Sequence, residues 1–170
     1  SIRQHLDDDT HLLFSYHGLP VSHVKRIDRS KTHCQSVDDC CSVECDANSL
    51  CYGHHCYKTT MAVVERLGLS PDRWSLSYQS RLGPVKWLEP STTHMVEALV
   101  KKGVKKLAIV APAFLADGLE TLEELNIGIR EEFMEHGGEE LMVINCLNDD
   151  QKWIEGLEQL IAKEFGALAA

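Results

Sequence analysis

Four short apolar runs alternate with four longer stretches of helical periodicity along this chain, and that alternation constrains the fold more than any other feature. The runs are His11 to Tyr16, Trp74 to Tyr78, Leu107 to Ala111 and Leu141 to Ile144, each of strand length. Periods near 3.6 residues follow over about 57–67, 92–102, 119–135 and 151–165. Gly68, Gly103 and the pair Gly137-Gly138 stand where the first three helices should stop, as C-terminal caps. Alternating strand and helix predicts an α/β domain: an open parallel four-stranded sheet with right-handed crossovers and helices on both faces, a Rossmann- or flavodoxin-like arrangement. The nearly continuous run from Leu107 to Ala111 predicts a strand buried on both sides.

Composition narrows the function classes. With 44% hydrophobic residues, 170 residues suffice for one domain with a core, residues 1–170, interrupted by a polar insertion at 25–55 between the first strand and its helix. A net charge of -9 leaves no basic surplus for a phosphate backbone, so no nucleic acid partner is expected. No apolar run approaches the ~20 residues that span a bilayer, which leaves a peripheral membrane contact open. The chain begins at Ser1 without an initiator Met and enters a strand-like segment almost at once, as a piece of a larger protein would.

Six of the seven cysteines, Cys34, Cys40, Cys41, Cys45, Cys51 and Cys56, crowd into this insertion and its edge, interleaved with His33, His54 and His55. Their spacing matches neither a zinc ribbon nor a plant-type ferredoxin ladder. The rest of the chain reads as an ordinary intracellular α/β domain, so a metal or iron–sulfur site in the cytoplasm is expected before disulfides, which need an oxidising compartment.

In an open parallel sheet, ligands bind beyond the carboxyl ends of the strands. The segments leaving those ends begin at His17, Gln79, Pro112 and Asn145. An imidazole at His17 accepts a proton near neutral pH or ligates a divalent metal; the plainer reading is a histidine bonded to loop carbonyls. Asp117, Glu120 and Glu124, at i, i+3 and i+7, fall within ~60° of one another around an α-helix, opposite Leu119, Leu122, Leu125 and Ile129. Neighbouring acids in a cleft form a proton acceptor or a hard-metal landing site, against the plainer reading of a solvated, dipole-favoured helix start. In Gln79-Ser80-Arg81-Leu82-Gly83-Pro84 and Trp87, the candidate partners for a flat carboxylate-bearing ligand are Arg81 for charge and Trp87 for stacking; the alternative is a turn with Trp87 as a core anchor.

Read together, these motifs resemble the C-terminal half of ferrochelatase, the lyase that inserts Fe2+ into a porphyrin in heme biosynthesis. The resemblance rests on Phe14 to Pro20, Tyr78 to Leu88 and Pro112 to Leu125, three ordered motifs. It implies a chelatase-like fold and a catalytic set of His17, Glu120, Asp117 and Glu124, with Fe2+ meeting His17 and Glu120. It also implies Gln79, Ser80, Arg81, Trp87 and Phe114 against the porphyrin, protoporphyrin IX or coproporphyrin III. The missing N-terminal half would complete the cleft, so the isolated domain is expected to be inactive or weak. Some ferrochelatases carry a [2Fe–2S] cluster, in certain bacterial members on an internal segment. The cluster expectation here falls on Cys34, Cys41, Cys45 and Cys51, with Cys40 as the alternate ligand. Two other readings stand beside this one: a metal or iron–sulfur redox sensing module on an α/β scaffold, and a cobalt or nickel chelatase acting on another tetrapyrrole.

Overall fold

The computed structural model describes residues 2–168. Its strands β1 (Thr10–His17), β2 (Trp74–Gln79), β3 (Lys106–Val110) and β4 (Glu140–Val143) form one sheet in the order β2-β1-β3-β4, every neighbouring pair parallel. The expected open parallel four-stranded sheet is therefore present. β1 and β3 take the central places, and burial on both faces follows for Leu12, Leu13 and Phe14 and for Leu107, Ala108 and Ile109.

The helices are α1 (Val21–Ile27), α2 (Tyr52–Leu67), α3 (Thr92–Lys101), a π-helix (Glu120–Ile129) that runs directly into α4 (Arg130–Glu135), and α5 (Gln151–Leu168). They cover both faces. Leu12, Phe14 and Tyr16 pack with Val21 and Val24 of α1 and Val64 of α2. On the other side, Leu13, Leu107 and Ile109 pack with Val96 and Leu99 of α3, Leu125 and Ile129 of the π-helix, and Phe133 of α4. The period-2 alternation of β1 thus sorts its side chains between two cores. Ser15 and His17 fall on the α3 and π-helix side with Leu13.

Gly68 and Gly137 take left-handed φ of 71° and 101° and end their helices as expected. Gly138 has a different reason to be glycine: a Cβ there would lie 2.2 Å from the Phe133 ring.

Three boundaries differ from the sequence reading. α1 occupies part of the stretch assigned to the insertion; at seven residues with two buried valines it carries too little periodicity to read. α2 starts at Tyr52 rather than near Tyr57, because Cys51 serves as its N-cap in a segment whose cysteines mask any apolar pattern. The expected α-helix over 119–135 is π-helical in its first ten residues. With i→i+5 hydrogen bonds each turn is wider, so Thr121, Leu125 and Ile129 form the buried row. Leu119 and Leu122, placed by α-periodicity on the core side, are 78% and 55% exposed. α5 carries Ile154, Leu160, Ile161 and Phe165 exposed. No described helix is long and apolar enough to cross a membrane.

Candidate functional site

The carboxyl edge of the sheet gathers most of the residues singled out from sequence. His17 ends β1, and its register partner on β2 is Gln79. The chain can turn there because Gly18 donates its amide to the Gln79 carbonyl at 2.7 Å; a Cβ on Gly18 would stand 2.8 Å from that oxygen. His17 Nδ1 donates to the Gly18 carbonyl at 2.7 Å. A carbonyl only accepts, so in the neutral ring this bond puts the proton on Nδ1 and the lone pair on Nε2. The Phe114 ring, delivered by the segment after β3, has its centroid 6.3 Å from that of His17. Behind the histidine, the Tyr52 hydroxyl donates to the His17 carbonyl at 2.8 Å, tying the start of α2 to the site.

Gln79 is 2% exposed and fully engaged. Its Oε1 accepts from Ser15 Oγ at 2.6 Å, and its Nε2 reaches the Glu120 carbonyl at 2.8 Å and Glu124 Oε2 at 3.4 Å. Ser80 donates its amide to Glu124 Oε1 at 2.6 Å and its hydroxyl to Oε2 at 2.5 Å. The polar atoms of Gln79 and Ser80, expected to face a ligand, are directed to the acidic helix instead. The Glu120 carboxylate is half-buried and carries no ion pair among the described residues.

Asp117 departs from the expected acidic row because the helix begins after it. It accepts from Asn148 Nδ2 at 2.7 Å, Thr121 Oγ1 at 3.0 Å and the Cys146 amide at 3.3 Å. Partial burial pushes its carboxyl up, and these donors outweigh it and hold it below the ordinary carboxylate value. Asp117 thus clasps the start of the π-helix to the loop after β4. Arg81 is spoken for as well, paired with Glu89 at 2.5 Å and donating to the Leu88 carbonyl at 3.3 Å. Trp87 is half-buried beside Gly18, its indole Nε1 enclosed without a partner, while the neighbouring Leu88, at 1% exposure, is the core anchor of this turn. Around these groups Leu82, Val85, Leu115, Leu119 and Leu122 are all more than half exposed, an unusual density of large apolar side chains at one edge of a sheet.

The cysteine segment forms a second centre. Asp28 organises its start, accepting from the amides of Ser30, His33 and Cys34 at 2.9 Å each. The Cys40 and Cys41 sulfurs are 3.9 Å apart. Cys41 and Cys51 both flank Gly53, whose Cβ, if present, would lie 3.2 and 3.9 Å from their sulfurs. The Cys51 thiol faces Cys41 and the His54 and Gly53 amides at the α2 N-terminus, which hold its pKa well below the usual thiol range; Cys41, facing Cys51, is pushed up. Cys34 is buried and also faces Cys51, which raises its thiol to about 12. Cys45 stands apart, its sulfur 3.6 Å from His33 Nε2. Cys56 is a buried core thiol.

Four sulfurs therefore run as a chain, Cys34, Cys51, Cys41, Cys40. No three His, Cys, Asp or Glu side chains among the described residues are grouped as around a single ion. The Cys40 and Cys41 sulfurs, 3.9 Å apart, are close enough to meet at one metal ion with metal–sulfur bonds of about 2.3 Å. His54 adds an orphan here, with Nδ1 donating to the Cys41 carbonyl at 2.8 Å and Nε2 buried without a partner.

Sequence reasoning missed Tyr52, Ser15, Asn148 and Glu89, the residues that hold the others in place. Only Ser15 had a readable signal: a serine two residues before His17 in an otherwise apolar strand shares its face.

Comparison with known proteins supplies the rest. The family model described as Ferrochelatase matches residues 1–165. Curated ferrochelatases from Bdellovibrio bacteriovorus, Pseudomonas fluorescens and Opitutus terrae are 44%, 45% and 46% identical over 151, 162 and 147 residues. These alignments cover 89%, 94% and 86% of this chain and 44%, 48% and 43% of the relatives. The chain thus spans about half the length of the curated relatives it matches. A solved structure of a putative cobalamin biosynthesis CbiX protein from Marinobacter aquaeolei superposes with a TM-score of 0.51 at 15% identity, over 93% of this chain and 98% of that one, a likeness of fold. On its motifs, its sheet order and this match over nearly its whole length, the chain belongs to the ferrochelatase family.

Proposed function

We propose that this chain is the C-terminal α/β half of a cytoplasmic ferrochelatase, a lyase that inserts Fe2+ into a porphyrin, and that a second half of the same protein closes the cleft. The observation that carries the reading is the His17 tautomer: with Nδ1 spent on the Gly18 carbonyl, Nε2 offers a lone pair at the same rim as Glu120 and Glu124.

Inserting Fe2+ into a free-base porphyrin releases two protons from the pyrrole nitrogens as four nitrogen–iron bonds form. The site therefore needs a base, a proton exit and a landing place for a dication. His17 Nε2 takes the pyrrole proton or meets the metal. Glu120, half-buried and without an ion pair among the described residues, receives either charge next, and Glu124 lies one turn further along the helix. Asp117, with its oxygens committed to Asn148, Thr121 and Cys146, acts as a clasp rather than a carrier. Phe114, Trp87 and the exposed leucines of the rim supply apolar walls for a flat ring. The orphan Trp87 N–H is left for a carboxylate of the ligand or a group of the second half. Arg81, held by Glu89, is a weaker candidate for that contact.

In the insertion, the residues that would hold a [2Fe–2S] cluster are Cys34, Cys40, Cys41 and Cys51. Cys40 takes the place expected of Cys45, because its sulfur borders Cys41 whereas the Cys45 sulfur borders His33. Bound there, such a cluster supplies one-electron redox chemistry and a covalent staple for the segment.

The test is metalloporphyrin absorbance during titration of the full-length protein with porphyrin and Fe2+. Insertion that His17→Ala abolishes supports the proposal. No insertion by the wild type, or a loss confined to Cys51→Ser, overturns it in favour of a sensing module.

A further inference from the structure

Of the two glutamates on the π-helix, one is immobilised by a residue in a costly conformation. Ser80 has φ of 61°, the left-handed region that only a few per cent of residues with a side chain adopt. The strained turn leads its amide to one oxygen of Glu124 at 2.6 Å and its hydroxyl to the other at 2.5 Å. Gln79 adds a third donor at 3.4 Å and is itself locked from behind by Ser15 at 2.6 Å. Both Glu124 oxygens are thereby engaged, and the carboxylate is fixed against the exit of β2. Among the described residues, Glu120, four residues earlier, is tied to β2 through its backbone carbonyl and not through its carboxylate. Strain kept at such a position is usually part of what a site does.

We infer that Ser80 is a positioning residue that clamps Glu124, making Glu124 the stationary member of the acidic pair and leaving Glu120 as the one that moves toward His17. The inference rests on the reading of these glutamates as the metal and proton route; it replaces a porphyrin contact for Ser80 with an indirect role on the Fe2+ side.

Two variants separate the contributions. Ser80→Ala removes the hydroxyl and keeps the strained φ. Ser80→Gly removes the hydroxyl, keeps the amide bond and relieves the strain. In the full-length protein both should lower kcat/KM for Fe2+ about tenfold, the scale of one hydrogen bond to a charged group, with KM for porphyrin within about twofold. Glu124→Gln should lower it similarly, and Ser80→Ala combined with Glu124→Gln should be no worse than Glu124→Gln alone. A rise in porphyrin KM, or additive losses, overturns the clamp.

A second cycle uses urea unfolding with Ser80→Ala, Glu124→Gln and their combination in the full-length protein and needs no activity. Coupling of about fivefold or more in the unfolding constant is expected. Additivity there overturns the inference. Coupling in unfolding with no Fe2+ insertion by the wild type leaves the clamp standing and refutes the proposed function instead.

Discussion

His17 and Gln79 are register partners at the ends of β1 and β2, and the Gln79 amide continues to the Glu120 carbonyl at 2.8 Å. One buried side chain thus joins the strand that presents the imidazole to the helix that presents the acids. His17 and the two glutamates are thereby fixed relative to one sheet edge, which is the arrangement the proposed reaction, with little tolerance for misplacement, requires.

Replacing His17 by Ala removes the free lone pair at Nε2. Insertion of Fe2+ by the full-length protein should fall roughly 10²- to 10⁴-fold, the range for a general base, with the far-UV spectrum unchanged. Metalloporphyrin absorbance measures it; a loss of less than tenfold would count against the role of this residue.

Gly18→Ala places a methyl 2.8 Å from the Gln79 carbonyl oxygen and 3.3 Å from Trp87 Cε3. Backbone on one side and a half-buried ring on the other leave little room to relax. A destabilisation of about 1–3 kcal/mol is expected from urea unfolding, together with loss of insertion activity. An unchanged unfolding midpoint would show that the two strand exits are not locked as described.

Asp117→Ala should behave as a stability variant. Removing its carboxylate hands the exposed Asn148 amide to water and leaves the part-buried Cys146 N–H without its acceptor, a cost of about 0.5–1.5 kcal/mol at pH 7, while KM for Fe2+ stays within about twofold. Because the folded state holds this carboxyl below its ordinary value, the contribution is complete above the unfolded pKa near ~4 and fades as the pH drops through the folded pKa. Urea midpoints of wild type and variant should therefore converge at low pH. A gap that widens on acidification would contradict the sign.

Anaerobic reconstitution with iron and sulfide tests the thiol chain. Visible charge-transfer absorption should develop in the wild type and in Cys45→Ser, and be lost in Cys34→Ser, Cys40→Ser, Cys41→Ser and Cys51→Ser. Retention in Cys40→Ser with loss in Cys45→Ser would restore the ligand set expected from the family resemblance.

Much of this was legible before any coordinates. The class of fold, the four strands and the shared carboxyl edge follow from hydrophobic periods of about 2 and 3.6, which report directly which faces of a strand or helix lose water. His17, Glu120, Glu124 and Phe114 are found by asking what leaves each strand. The cysteine segment is equally plain, since no other composition in the chain resembles it.

Tertiary structure decided what each of those groups is free to do. Periodicity assumes an α-helical turn, so it put Leu119 and Leu122 in the core and Asp117 in line with the glutamates; the wider π turn and a helix start after Asp117 undo both. Residue type identifies a donor but not its acceptor, which is why Ser80, Gln79 and Arg81 read as ligand contacts while the folded chain commits them to Glu124, the Glu120 carbonyl and Glu89. Hydrogen bonds and ion pairs of this kind join residues tens of positions apart, set by sheet order and loop geometry. A one-dimensional pattern records burial because burial repeats along the chain; it holds no such record of partners that meet only once the strands are side by side.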